Sequence, residues 1–368
     1  MRAAHVGLGL LLLAGCAASK QAGAPSSPAP SPAADAIGFS DFPAANTADS
    51  VDFAYQVIAR DGNLAAWLWD DGVPWPEALV GAPYASGFMD TLQRRLAHRP
   101  AGHSVYVGIT PMSSDHDGLA LYRGDLGNQP LPPPWNGRTL DQPEVVGAYL
   151  NHCERMLAAT APAYFSYATE ANLLYVYDPD EWPALLRLLA YVYPRLKAAH
   201  PGLPVFVTVQ ADTFLARTDT QAPVVRELLQ YSDVVAVSTY PFLGQPDPTR
   251  LPVNRLAALR DLAPEKPFVI AETCWPAQDV GAPYPDSIPA SADTQKQYVD
   301  LLAHDADALH ARFVTWSFSR DYDQYWDTLG DPRQRITMRP FRNCGLYDSA
   351  GHERPGLAVW RAWLNSGG

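Results

Sequence analysis

The amino-acid sequence predicts a single (β/α)8 barrel, an α/β fold, and three observations support this prediction. Short apolar segments alternate with segments of helical periodicity from residue 36 onwards. The apolar segments lack polar–apolar alternation, which indicates strands of a parallel sheet that is covered on both faces. Eight strand–helix units in about 330 residues are typical of one closed barrel, and a doubly wound open sheet is the alternative.

The N-terminal residues predict export from the cytoplasm. Residues 1–15 combine a charged start with an apolar run too short to span a bilayer, as in a cleaved signal peptide. Leu13-Ala14-Gly15-Cys16 resembles the bacterial lipobox, which implies lipidation of Cys16 and a lipid-anchored protein in the cell envelope, periplasmic or at the cell surface. An ordinary signal peptide is the alternative. Residues 16–35, rich in Ala, Pro and Ser, predict a disordered linker before a barrel domain at 36–368.

The predicted strands are rich in β-branched and aromatic residues, and the predicted helices carry apolar residues three and four positions apart. The strands are residues 36–39, 64–69, 103–110, 164–169, 204–209, 234–239, 266–271 and 312–317. The helices are residues 50–60, 87–97, 141–159, 178–196, 222–231, 252–262, 298–309 and 355–364. Asp141 and Glu144 have capping-box spacing at the start of the third helix. The long connection at 112–140 is of a length that is usually functional.

Two glutamates follow predicted strands. Glu170 ends the fourth strand and Glu272 ends the seventh. In a (β/α)8 barrel both positions lie at the C-terminal mouth of the strands, where active sites are found. Two carboxyl groups that face each other across a pocket are what glycoside hydrolysis requires.

Three segments extend this observation to a family. They are Ala168-Thr169-Glu170-Ala171-Asn172, residues 233–241, and residues 266–273 with Trp275 beyond them. Together they resemble the motifs of retaining β-glycosidases with (β/α)8 barrels (clan A), nearest to endo-β-galactanase-like members. The resemblance implies that Glu170 is the general acid/base, Glu272 the nucleophile and Tyr240 a hydrogen-bond partner of the nucleophile. It also implies that Trp316 floors the sugar subsite, and that no cofactor is required.

Two positions depart from the family pattern. Thr169 precedes the acid/base where the family usually has Asn, and Asp70 and Asp71 end the second strand where it usually has Arg. A substrate with different stereochemistry at its 2-hydroxyl is one explanation, and loss of catalysis is the other. The sequence therefore predicts a retaining hydrolase of β-linked oligo- or polysaccharides, and a non-catalytic glycan-binding lipoprotein is the alternative. A hydrolase of esters or amides ranks last because no Gly-x-Ser-x-Gly or metal motif is present.

Eight residues at or near strand ends are predicted to contact the sugar, of which Tyr240 and Trp316 follow from the resemblance. They are Trp69, Asp70, Asp71, Asn172, Tyr240, Trp275, Trp316 and Arg320. Asp70 and Asp71 precede Gly72, so a simple turn is an equal alternative. Asp115, His116 and Asp117 in the long loop are interpreted as solvated residues rather than ligands.

Charge and cysteine content limit the partners. The formal net charge of -12 disfavours nucleic acid, and a carbohydrate is the expected partner, with the membrane contacted only through the lipid anchor. No metal-ligand spacing is present, so no metal site is predicted. Cys153 lies on the apolar stripe of a predicted helix and is expected to be a buried free thiol. Cys274 and Cys344 could form a disulfide, and the sequence leaves this open.

Overall fold

The computed structural model describes residues 36–125, 127–281 and 287–366. The predicted signal peptide, Cys16 and the linker up to residue 35 lie outside the described residues, so the structure does not bear on those predictions. No helix in the described part of the chain is long and apolar enough to cross a membrane.

Eight parallel strands form a closed barrel, as the sequence predicts. The sheet order places the first strand beside the last, and every pairing between neighbouring strands is parallel. The fifth strand is interrupted at Val207, and its two segments pair with the fourth and the sixth strands, which closes the ring and rules out the open-sheet alternative. The strands are β1 (Ala36–Ser40), β2 (Leu64–Trp69), β3 (Ser104–Ile109), β4 (Tyr164–Ser166), β5 (Val205–Phe206 and Thr208–Gln210), β6 (Val235–Thr239), β7 (Phe268–Thr273) and β8 (Ala311–Trp316).

Side chains on the two faces of the barrel sheet form two separate cores. The inner core fills the barrel with small aliphatic residues around the rings of Tyr106, Phe206 and Phe313. The outer core lies between the strands and the surrounding helices and contains most of the buried Leu, Val and Trp side chains. Because successive residues of a strand point to opposite faces, this alternation decides which side chains reach the barrel mouth.

Helices follow the strands around the outside. They are α1 (Ala48–Asp61), α2 (Trp75–Val80), α3 (Ser86–Ala97), α4 (Pro143–Thr160), α5 (Leu174–Tyr177), α6 (Trp182–Ala199), α7 (Ala211–Ala216), α8 (Thr218–Leu229), α9 (Ala257–Arg260), α10 (Ala292–Ala308), α11 (Asp323–Thr328), α12 (Pro332–Met338) and α13 (Pro355–Ser366). Two predictions were wrong in detail. The helix predicted at 252–262 is only the single turn of α9. Asp141 does not cap α4, because its carboxylate accepts a hydrogen bond from Thr139 and pairs with Arg187 instead.

Two connections contain antiparallel hairpins that the sequence did not predict. The long connection between β3 and α4 contains the pair Tyr122–Gly124 and Gly127–Gln129. The connection after β7 contains the pair Gln278–Val280 and Ile288–Ser291. Both connections start at the C-terminal ends of barrel strands and therefore build up the rim of the mouth.

The three cysteines of the described residues are buried free thiols. This confirms the prediction for Cys153. Cys274 and Cys344 interact through their side chains, but they are two separate thiols, so the disulfide that the sequence left open is not formed.

Candidate active site

Glu170 lies just beyond the end of β4, in a strained backbone conformation. Its φ of 48° is in the left-handed region, which costs a non-glycine residue about 1 kcal/mol and is often found at functional sites. The Glu170 amide donates to Thr208 Oγ1 of β5 at 2.8 Å, and its carbonyl accepts from the Leu173 amide at 2.9 Å. These contacts fix the backbone so that the side chain, 18% exposed, points into the mouth.

Glu272 is delivered by an irregularity in β7. The register of β7 against both neighbouring strands shifts between Ile270 and the residues that follow it. Bulges of this kind re-aim side chains next to active sites. Ala271 belongs to the inner core, and Glu272 stands at the upper end of the same strand with its carboxylate partly exposed.

Strand β6 connects the two glutamates. Ser238 is the register partner of Glu272, and its hydroxyl donates to Glu170 Oε1. Two residues later, the Tyr240 hydroxyl donates to Glu272 Oε2 at 3.0 Å and lies 3.3 Å from Ser317 Oγ. Thus β6 and the residue that follows it supply one hydrogen-bond donor to each carboxylate, and the two carboxylates are close enough for their charges to interact.

The two carboxyl groups share one electrostatic environment. The pKa of Glu272 is raised to about 8: burial is the largest cause, the charges of Glu170 and Asp70 act in the same direction, and the hydrogen bond from Tyr240 acts against them. The pKa of Tyr240 is raised well above its ordinary value by burial and by the charge of Glu272, so Tyr240 stays a donor. At neutral pH the pair of carboxyls therefore retains one proton, as a site with one acid and one anion requires.

Asp212 of α7 supports Tyr240 from behind. Its carboxylate accepts from the Tyr240 amide at 2.6 Å and from the Thr239 hydroxyl at 3.2 Å, and it pairs with Arg255 at 3.4 Å. The backbone that carries the donor to Glu272 is therefore fixed by a charge-assisted contact.

Asp70 and Asp71 have different surroundings. Asp70 follows β2 and is exposed. Partial desolvation by the surrounding protein raises its pKa, and the charges of Asp71 and Glu170 raise it further. Asp71 instead pairs with Arg123 of the rim hairpin at 2.9 Å, beside the left-handed Gly72. Asp70 remains a predicted sugar ligand, whereas Asp71 holds the loop.

Four other predicted sugar ligands are buried and present no surface to a sugar. Trp316 is 0% exposed because strand alternation turns it towards the helices, where its Nε1 donates to the Cys344 carbonyl at 2.9 Å. Trp275 stacks on Tyr298, and Trp69 lies under the Arg95 guanidinium at 3.8 Å. These predictions are corrected by the structure.

Asn172 is the fourth of these corrections. Its side-chain amide is fully buried and binds the backbone of Gln210 and the side chain of Gln221. It therefore clamps β5 to the segment that follows Glu170. The predicted ligand Arg320 is also occupied, because its guanidinium donates to the Ser349 carbonyl and lies over the Phe53 ring.

Four residues near the glutamates were not predicted as site residues. Ser238 could have been found, since it lies two positions before Tyr240 and period-two alternation puts both on one face. The interpretation of His116 as a solvated loop residue was wrong, because its side chain is largely buried and its Nε2 lies 3.6 Å from Glu170 Oε2. The half-exposed Tyr177 lies within range of the charge of Glu170, which raises the pKa of Tyr177 after burial does. Arg217 lies near Tyr177, because its charge lowers that pKa. No sequence pattern connects the last three with the mouth.

The mouth is thus a set of carboxylates with oxygen and nitrogen donors and an exposed aromatic ring. Among residues 36–125, 127–281 and 287–366, no group of three His, Cys, Asp or Glu side chains is arranged to hold a metal ion. The arrangement is suited to proton transfer and nucleophilic attack by carboxyl groups.

Comparison with known proteins shows the same barrel in solved structures. No protein-family model matches the sequence. No curated protein matches it either. A GH5_18 protein of Streptomyces cattleya in complex with Manβ1-4GlcNAc has a TM-score of 0.61 at 17% identity, covering 91% of this chain and 80% of its own. A GH5_18 protein of Bifidobacterium longum subsp. longum, in complex with the same disaccharide, has a TM-score of 0.60 at 14% identity, covering 89% and 77%.

A third structure is the exo-β-1,4-mannosidase Op5Man5 of Opitutaceae bacterium strain TAV5. Its TM-score is 0.61 at 14% identity, with 90% of this chain and 59% of that chain covered, so the match spans less than two thirds of the mannosidase. At such identities the similarity shows a shared (β/α)8 barrel fold. This fold agrees with the strand count above.

Proposed function

We propose that this protein is a retaining glycoside hydrolase. The observation that carries the proposal is the juxtaposition of Glu170 after β4 and Glu272 on β7. Ser238 of β6 donates a hydrogen bond to Glu170, and Tyr240, directly after β6, donates one to Glu272. In the proposed reaction Glu170 donates its proton to the leaving oxygen while Glu272 attacks the sugar carbon. Water that Glu170 deprotonates then releases the sugar from Glu272.

The contacts of Glu272 suit the role of nucleophile. Tyr240 occupies Oε2, which leaves Oε1 to attack. The reaction requires the proton on Glu170 rather than on Glu272. The hydrogen bond from Tyr240 acts in this direction, because it stabilises the charged form of Glu272 against the burial that raises its pKa. The reaction needs the pair to hold one proton, so activity is expected to fall above about pH 8, where Glu272 loses the proton that burial retains.

β-Linked mannosides are the proposed substrates. Two solved barrels with this fold contain Manβ1-4GlcNAc, and a third is named an exo-β-1,4-mannosidase. Mannose differs from glucose and galactose in its axial 2-hydroxyl. The residue that would contact this hydroxyl, Thr169, is also where the chain departs from the family motif. An altered 2-hydroxyl contact and a mannoside substrate are thus consistent with each other.

Turnover of aryl β-D-mannosides and β-1,4-manno-oligosaccharides tests the proposal. Glu170→Gln and Glu272→Gln should each lower kcat by roughly 10²–10⁴-fold on substrates with poor leaving groups, because each removes one half of the catalytic pair. Glu265→Gln, at an exposed glutamate just before β7, is the matched control and should leave kcat unchanged. NMR of the first-formed product should show the β-anomer, and the α-anomer would contradict a retaining mechanism.

A non-catalytic glycan-binding protein is the second candidate. The elevated pKa of Glu272 favours it, since a protonated carboxyl is a poor nucleophile. Calorimetric binding of manno-oligosaccharides that survives both substitutions, with no turnover by the wild-type protein, would establish this candidate instead.

The proposed site of action is outside the cytoplasm. The motif ending in Cys16 supports a lipid anchor, and residues 16–35 would separate the barrel from the membrane. A tethered hydrolase of this kind would meet oligosaccharides in the envelope.

A further inference from the structure

His116 lies at the tip of a turn that reaches the barrel mouth. Its Nε2 is 3.6 Å from Glu170 Oε2, the separation of an ion pair, and the two side chains are 13% and 18% exposed. His116 belongs to the long connection between β3 and α4, whereas Glu170 follows β4. Hence a rim loop, rather than a barrel strand, approaches the second oxygen of the proposed acid/base.

The turn is built to hold His116 in this place. The Ser113 carbonyl accepts a hydrogen bond from the His116 amide at 3.0 Å. The Ser113 hydroxyl donates to Asp117 Oδ1 at 2.7 Å, and the Ser113 amide donates to the Gly118 carbonyl at 3.0 Å. Outside the turn, Met112 bridges to Leu119. His116 adopts φ 52°, a left-handed conformation that costs a non-glycine residue about 1 kcal/mol. Strain at both His116 and Glu170 indicates that the surrounding contacts over-determine the pair.

The contacts of Glu170 leave one oxygen for His116. Ser238 donates to Oε1, and Thr208 holds the backbone amide. The imidazole Nε2 lies beside Oε2, and within the described residues its Nδ1 is buried without a hydrogen-bond partner. Within the described residues the ring is therefore placed by the backbone of the turn, with its Nε2 towards Glu170.

We infer that His116 is a positioning residue for Glu170 in the hydrolysis proposed above, on which this inference rests. When Glu170 gives up its proton, its carboxylate gains a full negative charge, and an N–H donor beside Oε2 stabilises that charge. The contact therefore strengthens as the proton leaves, so it favours the transition state over the ground state. Its contribution grows with the need of the leaving group for protonation.

Aryl β-mannosides of graded leaving-group ability test this inference. With the unactivated phenyl glycoside, His116→Ala should lower kcat/KM about 10–100-fold, a part of the roughly 10²–10⁴-fold that general acid catalysis supplies. With the activated 2,4-dinitrophenyl glycoside, which needs little protonation, the change should be less than about twofold. His116→Gln retains an N–H donor and should recover part of the loss.

His98→Gln is the matched control. His98 also pairs with a carboxylate, Asp52 at 3.0 Å, but the pair joins the end of α3 to α1 on the outside of the barrel. The His98→Gln protein should hydrolyse both glycosides with the kcat/KM of the wild type. Equal losses of kcat/KM on both glycosides in His116→Ala, or no loss on the phenyl glycoside, would overturn this inference and leave the proposed function standing. A wild-type protein that cleaves no aryl glycoside would overturn the proposed function and this inference together.

Discussion

Replacing Glu272 by glutamine should make the protein more stable at alkaline pH. Burial and the charges of Glu170 and Asp70 raise the pKa of Glu272 from 4.5 to about 8. At about 1.4 kcal/mol per decade, keeping this carboxylate ionised costs the folded state on the order of 5 kcal/mol at most. Glu272 is partly exposed at the mouth, so we expect about 2–4 kcal/mol to be measured.

The sign follows from proton binding in the two states. Below about pH 4.5 both the folded and the unfolded chain hold the proton, so the wild-type and Glu272→Gln proteins should have equal stability there. Between pH 4.5 and 8 the unfolded chain has lost the proton and the folded chain keeps it, so wild-type stability falls as the pH rises. Above pH 8 the carboxyl is ionised in both states, so wild-type stability stays lowered by the full cost of ionising Glu272 in the folded protein.

Urea unfolding, followed by tryptophan fluorescence at pH 4, 7 and 9, measures this difference. The gain in unfolding free energy of Glu272→Gln over wild type should grow from near zero at pH 4 to its full value at pH 9. Glu265→Gln, at an exposed position, should show no such growth. A gain that does not change with pH would refute the conclusion that Glu272 is held in a site that opposes its charge. This assay needs no substrate.

Four further outcomes are expected. Tyr240→Phe removes the 3.0 Å hydrogen bond to Glu272 and should lower kcat/KM by about 10–100-fold, since such a bond to a charged group contributes roughly 1.5–3 kcal/mol; a loss below twofold would contradict this role. Asp70→Asn removes a charge that raises the pKa of Glu272, so the alkaline limb of the pH–rate profile should move to lower pH; an unmoved limb would show that Asp70 is too far away to matter. Ser238→Ala should slow hydrolysis of poor leaving groups more than activated ones, because it removes the donor to the acid/base; equal slowing would indicate a structural role. Cys16→Ser should move the exported protein from the membrane fraction to the soluble fraction, as fractionation and mass spectrometry of the N-terminus would show, and unchanged membrane retention would contradict a lipid anchor.

The barrel and the two glutamates could be predicted because they depend on local patterns. Each strand is a short apolar run, and β2 was predicted at its observed limits, Leu64–Trp69. Counting units then placed Glu170 and Glu272 on strands four and seven. Where the pattern was weak, as at 252–262, the predicted helix shrank to one turn.

The sugar-contacting residues were harder to predict because exposure depends on which face of a strand a residue occupies. Trp316 was chosen as an aromatic at a strand end, yet alternation turns it outwards, and Ser317 faces Tyr240 instead. His116 reaches Glu170 through the folding of a loop about fifty residues earlier in the chain. Sequence spacing carries no information about such a long-range contact.

Covalent trapping with 2-deoxy-2-fluoro-β-D-mannosyl fluoride tests the central claim most directly. The fluorine slows both steps, and fluoride is a good leaving group that departs without acid assistance, so the glycosyl-enzyme intermediate should accumulate. Mass spectrometry of the digested protein should find one sugar on the peptide that contains Glu272, and none in Glu272→Gln. A sugar on Glu170, or no adduct in a protein that turns over mannosides, would contradict the assignment of Glu272 as the nucleophile.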